Sequence, residues 1–174
     1  MSLRVFFSPL VLLAVSFTAT TATLQADEPK SDKEKFTGTW REVSKTMAGE
    51  TTVTGQNGWG LFTYRAQDGK LSEWSITEDT TKAPDRIYTL IINAAATPKQ
   101  MDWIHEIDGE RFVFPAIYEW NGDKLKVSLA TDAVDLLNDG RAAVEKRRPK
   151  NFRPTAKTVK RQNQLIILEK LQEK

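Results

Sequence analysis

The 174-residue sequence reads as all-β, an antiparallel up-and-down barrel of about eight strands, on three observations. Five Asx-Gly pairs punctuate it, at Asn57-Gly58, Asp68-Gly69, Asp108-Gly109, Asn121-Gly122 and Asp139-Gly140. Such pairs accept the positive φ angles of tight hairpin turns. Between them lie short segments rich in β-branched and aromatic residues, with no long helical pattern. The first opens on Phe36-Thr37-Gly38-Thr39-Trp40, and the last is Leu165-Ile166-Ile167-Leu168. The glycine permits a bend at the start of that segment, and the tryptophan two residues on brings a large apolar ring to the same place.

Taken in order, residues 1–26 read as a secretory signal peptide. Arg4 supplies the basic start, Val5 to Phe17 is largely apolar with one Ser8-Pro9 interruption, and small and polar residues lead to Leu24-Gln25-Ala26. The apolar run is shorter than the roughly 20 residues of a membrane span. An uncleaved N-terminal anchor is the competing reading. Export to the periplasm or beyond is expected, and the chain is not expected to be an integral membrane protein. Residues 27–35 form a charged lead-in expected to be disordered, and 36–174 form one domain.

Strands are expected over 38–46, 59–66, 70–77, 86–93, 101–107, 112–120, 124–130 and 164–170. The clearest hairpin turns at Asn121-Gly122. Leu125, Val127 and Leu129 face one way there, and Lys124, Lys126 and Ser128 the other. Pro115 predicts an edge or a bulge in the strand before it. The insertion at 131–147 does not fit the strand pattern. Ala133, Val134, Leu136 and Leu137, then Ala142, Ala143 and Val144, predict two weak helical turns around Asp139-Gly140. The insertion reads either as a lid over the barrel mouth or as a solvated excursion.

The chain has no cysteine and a single histidine, His105. Disulfides, thiol catalysis, thiolate metal sites, a lipidated cysteine anchor and a multi-histidine zinc site are all excluded. No cofactor is expected. The formal charge is nearly balanced at +2, but residues 141–161 carry nine cations against one acid, Glu145. That segment steers anions toward one side of the molecule. It holds one aromatic residue, Phe152, and so lacks the stacking platform of a single-strand nucleic-acid binder.

Strand alternation places Met101, Trp103, His105 and Ile107 on one face, and Asp102, Ile104 and Glu106 on the other. His105 reads as a satisfied core or rim residue, as a ligand contact, or as a haem or metal ligand. Trp59, Trp74 and Trp103 fall on three different strands and Tyr118 and Trp120 on a fourth, where those two share one face. They either line a pocket or fill the barrel. The ligand-binding candidates are Trp74, Trp103, His105, Tyr118 and Trp120. Serines 44, 72, 75 and 128 lack a Gly-x-Ser-x-Gly elbow, and the spacing of Glu73, Glu106 and Glu119 does not separate them from solvated strand faces. No catalytic residue is assigned, and the chain is not expected to be an enzyme.

Several motifs occur in sequence order. They are Phe36-Thr37-Gly38-Thr39-Trp40, Pro98-Lys99-Gln100-Met101-Asp102, Ile117-Tyr118-Glu119-Trp120-Asn121-Gly122-Asp123-Lys124-Leu125, and Arg148-Pro149-Lys150-Asn151-Phe152 before the last strand. Together they resemble an uncharacterised family of small exported proteins, abundant in planctomycete bacteria, with a lipocalin-like domain. The resemblance implies export and a lipocalin-like barrel, and it lends no activity. In lipocalin-like barrels an arginine late in the chain often lies over the Gly-x-Trp indole. The expected structural closure is therefore Gly38, Trp40 and Arg148, with Arg153 as the substitute. The leading expectation is a non-catalytic protein binding a small, partly apolar ligand in the barrel. The alternative is a filled barrel that engages an anionic surface polymer or partner protein through Arg147, Arg148, Lys150, Arg153, Lys157, Lys160 and Arg161.

Overall fold

A computed structural model describes residues 31–53, 62–75, 83–156 and 162–172. The signal peptide, Trp59, Asn57-Gly58, Lys157, Lys160 and Arg161 lie outside the described residues. The elements run α1 (Asp32–Phe36), β1 (Gly38–Met47), β2 (Glu50–Val53), β3 (Phe62–Gln67), β4 (Lys70–Ser75), β5 (Arg86–Asn93), β6 (Lys99–Ile107), β7 (Glu110–Asn121), β8 (Lys124–Ala130), β9 (Val134–Asp135), α2 (Gly140–Arg147) and β10 (Asn163–Lys170).

Eight of the strands close a lipocalin-like antiparallel barrel in the order β1-β3-β4-β5-β6-β7-β8-β10. β10 completes the circle by pairing with β8 on one side and β1 on the other. The hairpins at Asp68-Gly69 and Asp108-Gly109 hold both residues at positive φ, the type I′ geometry whose twist matches the flanking strands. Ala48-Gly49 makes the same turn without a sequence signal, because alanine rarely enters that region. It produces the unexpected β2, which pairs with β1 at 44–47 just beyond the stretch, 38–41, where β1 meets β3.

The lumen is filled from alternate positions of every strand. Trp40, Tyr64, Leu71, Trp103, Tyr118 and Leu168 are among its buried members. Each such side chain contributes about 1.5–3 kcal/mol through removal of apolar surface from water. Residues 31–35 of the lead-in are ordered, where disorder was expected. Ser31 and Glu34 form a reciprocal capping box, and Phe36 at the end of α1 is buried in the lumen core.

The insertion at 131–147 is neither a lid nor a solvated excursion. Its first half is β9, which pairs with β7, and only its second half is helical. Val134 and Val144 bury against Ile104 and Val113 of the outer wall, opposite in parity to the lumen residues of the same strands. Arg148 fixes the end of α2. Its guanidinium donates to the Met101 and Ala116 carbonyls at 3.0 and 2.9 Å and to Asp102 at 2.7 Å. It also pairs with Glu145 at 2.9 Å. Pro115, opposite Asp102 in the ladder, brings no N–H to this place.

Candidate ligand-binding mouth of the barrel

The two ends of the barrel are built differently. At one end α1 crosses the opening. Phe36, Trp40, Tyr118 and Trp120 pack there with ring centroids 5.7–6.4 Å apart along their contacts. Trp40 Nε1 donates to the Phe36 carbonyl at 2.8 Å. Asp32 accepts from Lys99 Nζ at 2.5 Å and from Tyr118 Oη at 2.8 Å. Burial alone would raise the Asp32 carboxyl, but those two donors outweigh it and hold it below 3.8. Gly38 sits at φ 123° with Lys170 folded against it, so close that a Cβ would come within 2.6 Å of Lys170 Cε. Lys170 Nζ lies 5.6 Å above the Trp40 ring.

At the other end, where β1, β4 and β8 finish and β3 and β5 begin, the lumen opens into a cavity of about 290 Å³. Its apolar part is Phe62, Trp103, Phe114 and Leu129, and its polar wall is Lys45, Tyr64, Glu73, Arg86 and Tyr88. Lys45 reaches the lumen because β1 carries a bulge between Glu42 and Ser44, which shifts the parity by one residue. Its ammonium lies 4.8 Å over the Phe62 ring and 3.6 Å from Glu42. Glu73 is 8% exposed and accepts from Tyr88 Oη at 3.1 Å.

The carboxyls here are displaced in the opposite direction to Asp32. Burial pushes Glu42 above 4.5, and the Glu73 charge adds to the push, against the pull of Lys45. Burial likewise raises Glu73, against Tyr88, Arg86 and Lys45. The Tyr88 phenol is pushed up to about 12 by burial and then by Glu73, so it stays a hydrogen-bond donor near neutrality. Tyr64 rises well above its ordinary value for the same reasons. The arrangement offers an apolar floor under a ring of donors, with two carboxyls whose charged form burial disfavours. Among the described residues no group of three or more His, Cys, Asp or Glu is placed to hold a metal ion.

The sequence-derived candidates divide between the two ends and the outer wall. Trp103 forms the cavity floor and is 3% exposed. His105 shares its inner face, 5.3 Å from the Tyr88 ring. Tyr118 and Trp120 belong to the plug, so they pack the closed end and do not line the mouth. Trp74 does not face the lumen. On β4 the inward positions are Leu71 and Glu73, which leaves Trp74 on the outer wall. The important residues that sequence reasoning missed are Lys45, Arg86, Tyr64 and Tyr88. Tyr64 and Tyr88 share parity with the apolar Ala66 and Leu90, which is a readable signal. Lys45 depends on the bulge and has none.

The basic candidates also change. Arg148 does not lie over Trp40, because the indole is inside the barrel and Arg148 is on its outer wall; Lys170 takes the place over the ring. Arg153 does not substitute either, since its carbonyl accepts from Asn163 beside outer-wall Ser128. Much of the positive charge is matched within the fold. Arg147 pairs with Asp132 at 2.7 Å, Arg141 with Asp102 and Glu145, and Lys150 donates to the Glu145 carbonyl at 3.4 Å. Arg148 lowers the Glu145 carboxyl by hydrogen bonding.

The chain matches no protein-family model, no curated protein and no solved structure. No helix among the described residues is long and apolar enough to cross a membrane.

Proposed function

We propose that this protein is a non-catalytic, exported binder of a small, partly apolar molecule held in the open end of the barrel, and that it belongs to the motif-defined family it resembles. The observation that carries the reading is the contrast of a sealed end with a cavity of about 290 Å³ whose floor is aromatic and whose wall is polar. That volume stands at the lower edge of the roughly 300–1,000 Å³ typical of ligand sites. The signal-like N-terminus supports export. The pairing of Arg141, Arg147 and Arg148 with acids of the fold weighs against an anionic partner recruited by the basic segment.

Native mass spectrometry of the protein purified from its own host's envelope tests the reading in one spectrum. The expected result is a chain shortened by about 26 residues at the signal boundary, carrying an additional small mass that denaturation removes. An apo mass that stays apo after incubation with single-chain amphiphiles would refute ligand binding. A full-length mass would refute processing.

A further inference from the structure

Resting on that reading, we infer that the cavity selects a single-chain amphiphile with an anionic head, its tail on Trp103, Phe114 and Leu129 and its head between Lys45 and Arg86. Two cations and one acid, Glu73, line the cavity, and both cations stand on the wall around the apolar floor. A molecule entering tail first leaves its head beside them. Lys45 is aimed inward by the β1 bulge and braced over Phe62, so it approaches the lumen with little freedom to swing away. Tyr64 and Tyr88 stand at the same level, and the phenol hydrogens suit an acceptor oxygen. The volume of about 290 Å³ accepts roughly ten water-sized groups at about 30 Å³ each. A chain of about eight carbons with a carboxylate matches that size.

The acids make this preference depend on pH. Glu73 is faced by Lys45 and Glu42 of β1, Tyr64 of β3, Arg86 and Tyr88 of β5, and Asp85 just before β5. His105 of β6 faces Tyr88 from the far side. With Glu42 and Glu73 ionised, the two cations are already matched. With either carboxyl protonated, a cation is released to the incoming anion. Burial holds both carboxyls above the ordinary value of 4.5, so the exchange of partners falls at higher pH than for an ordinary carboxyl. An anion then binds with net uptake of protons.

The test is isothermal titration of the folded protein with octanoate, octylammonium and 1-octanol, at pH 5.5 and pH 8 and in two buffers of different ionisation enthalpy. The expected order is octanoate first, with affinity higher at pH 5.5 and with buffer-dependent heats that report proton uptake. Arg86→Gln should weaken octanoate about twofold to fivefold and weaken octanol less, the scale of a part-exposed charge contact. Glu73→Gln, nearly the same shape, should strengthen octanoate at pH 8 and flatten its pH dependence. Equal or tighter binding of octanol or octylammonium would overturn the anionic preference while leaving a ligand-binding barrel intact. Binding of none of the three would overturn both.

Discussion

The closed and open ends of this barrel use the same ingredients, aromatic rings with buried acids and nearby lysines, to opposite effect. At the closed end Asp32 has two strong donors, Lys99 Nζ and Tyr118 Oη, and its carboxyl is held low. At the open end Glu42 and Glu73 are buried against partners that do not repay their desolvation, and their carboxyls are held high. A satisfied ion pair locks an end shut. Under-compensated acids beside a cavity leave the wall able to change charge, which perturbed titration at a concave site accompanies in many functional sites. The difference separates structural polarity from polarity available to a ligand.

The most damaging break in the comparison is at the plug. Trp40→Ala removes the largest fully buried side chain and the bond to the Phe36 carbonyl, and leaves Trp120 and Phe36 facing a void. Denaturant unfolding should show a loss of about 3–5 kcal/mol, as for other large-to-small core changes. A loss below about 1 kcal/mol would mean that α1 does not depend on the indole and that the closed end is less tightly built than the open one.

The outer wall offers the second break. Arg148→Met removes the latch of α2 and leaves Asp102, 1% exposed, with Arg141 as its remaining cation at 2.5 Å. The expected cost is about 3 kcal/mol, because an incompletely compensated charge stays buried. Adding Asp102→Asn should recover part of it, and circular dichroism melts of the single and double variants measure the coupling. If the single change were neutral, the insertion would be a passive excursion after all. Cavity binding of octanoate should survive either way, since neither residue faces the lumen.

The barrel was legible because its strands obey simple rules. β5 and β8 occupy the ranges their sequence patterns predict, and Asp68-Gly69 and Asp108-Gly109 turn as such pairs should. What stayed hidden came from geometry that one chain does not advertise. The Ala48-Gly49 turn and the bulge after Glu42 have no compositional mark, yet they create β2 and aim Lys45 inward. The helix α1 did carry a mark, Ser31-x-x-Glu34, which the charge around it obscured. Trp74 was misplaced because an aromatic residue in a strand is as apt to cover an outer wall as to face a lumen. Glu73, its neighbour, holds the inward position. Arg148 reads from the sequence as a closure over Trp40, and instead it bonds Asp102 on the opposite face of the sheet.

The smallest expected effect separates the ends most sharply, because its sign changes between them. Glu42 has a raised carboxyl in the folded state, so its ionised form costs stability in full above that raised value. The cost is relieved as pH falls, until below 4.5 the folded and unfolded chains both carry the proton. Asp32, held low, behaves in reverse: its contribution is complete above 3.8 and is lost as pH falls through its lowered value. Glu42→Gln should therefore stabilise the protein modestly at pH 8, with the gain shrinking toward pH 4.5. Asp32→Asn should destabilise at pH 8, with the loss shrinking only at more acidic pH. Urea melts of both variants across pH 3–8 give the two curves. If Glu42→Gln proves destabilising at pH 8, Lys45 and Tyr64 bind the carboxylate better than burial penalises it, and the open end is locked like the closed one.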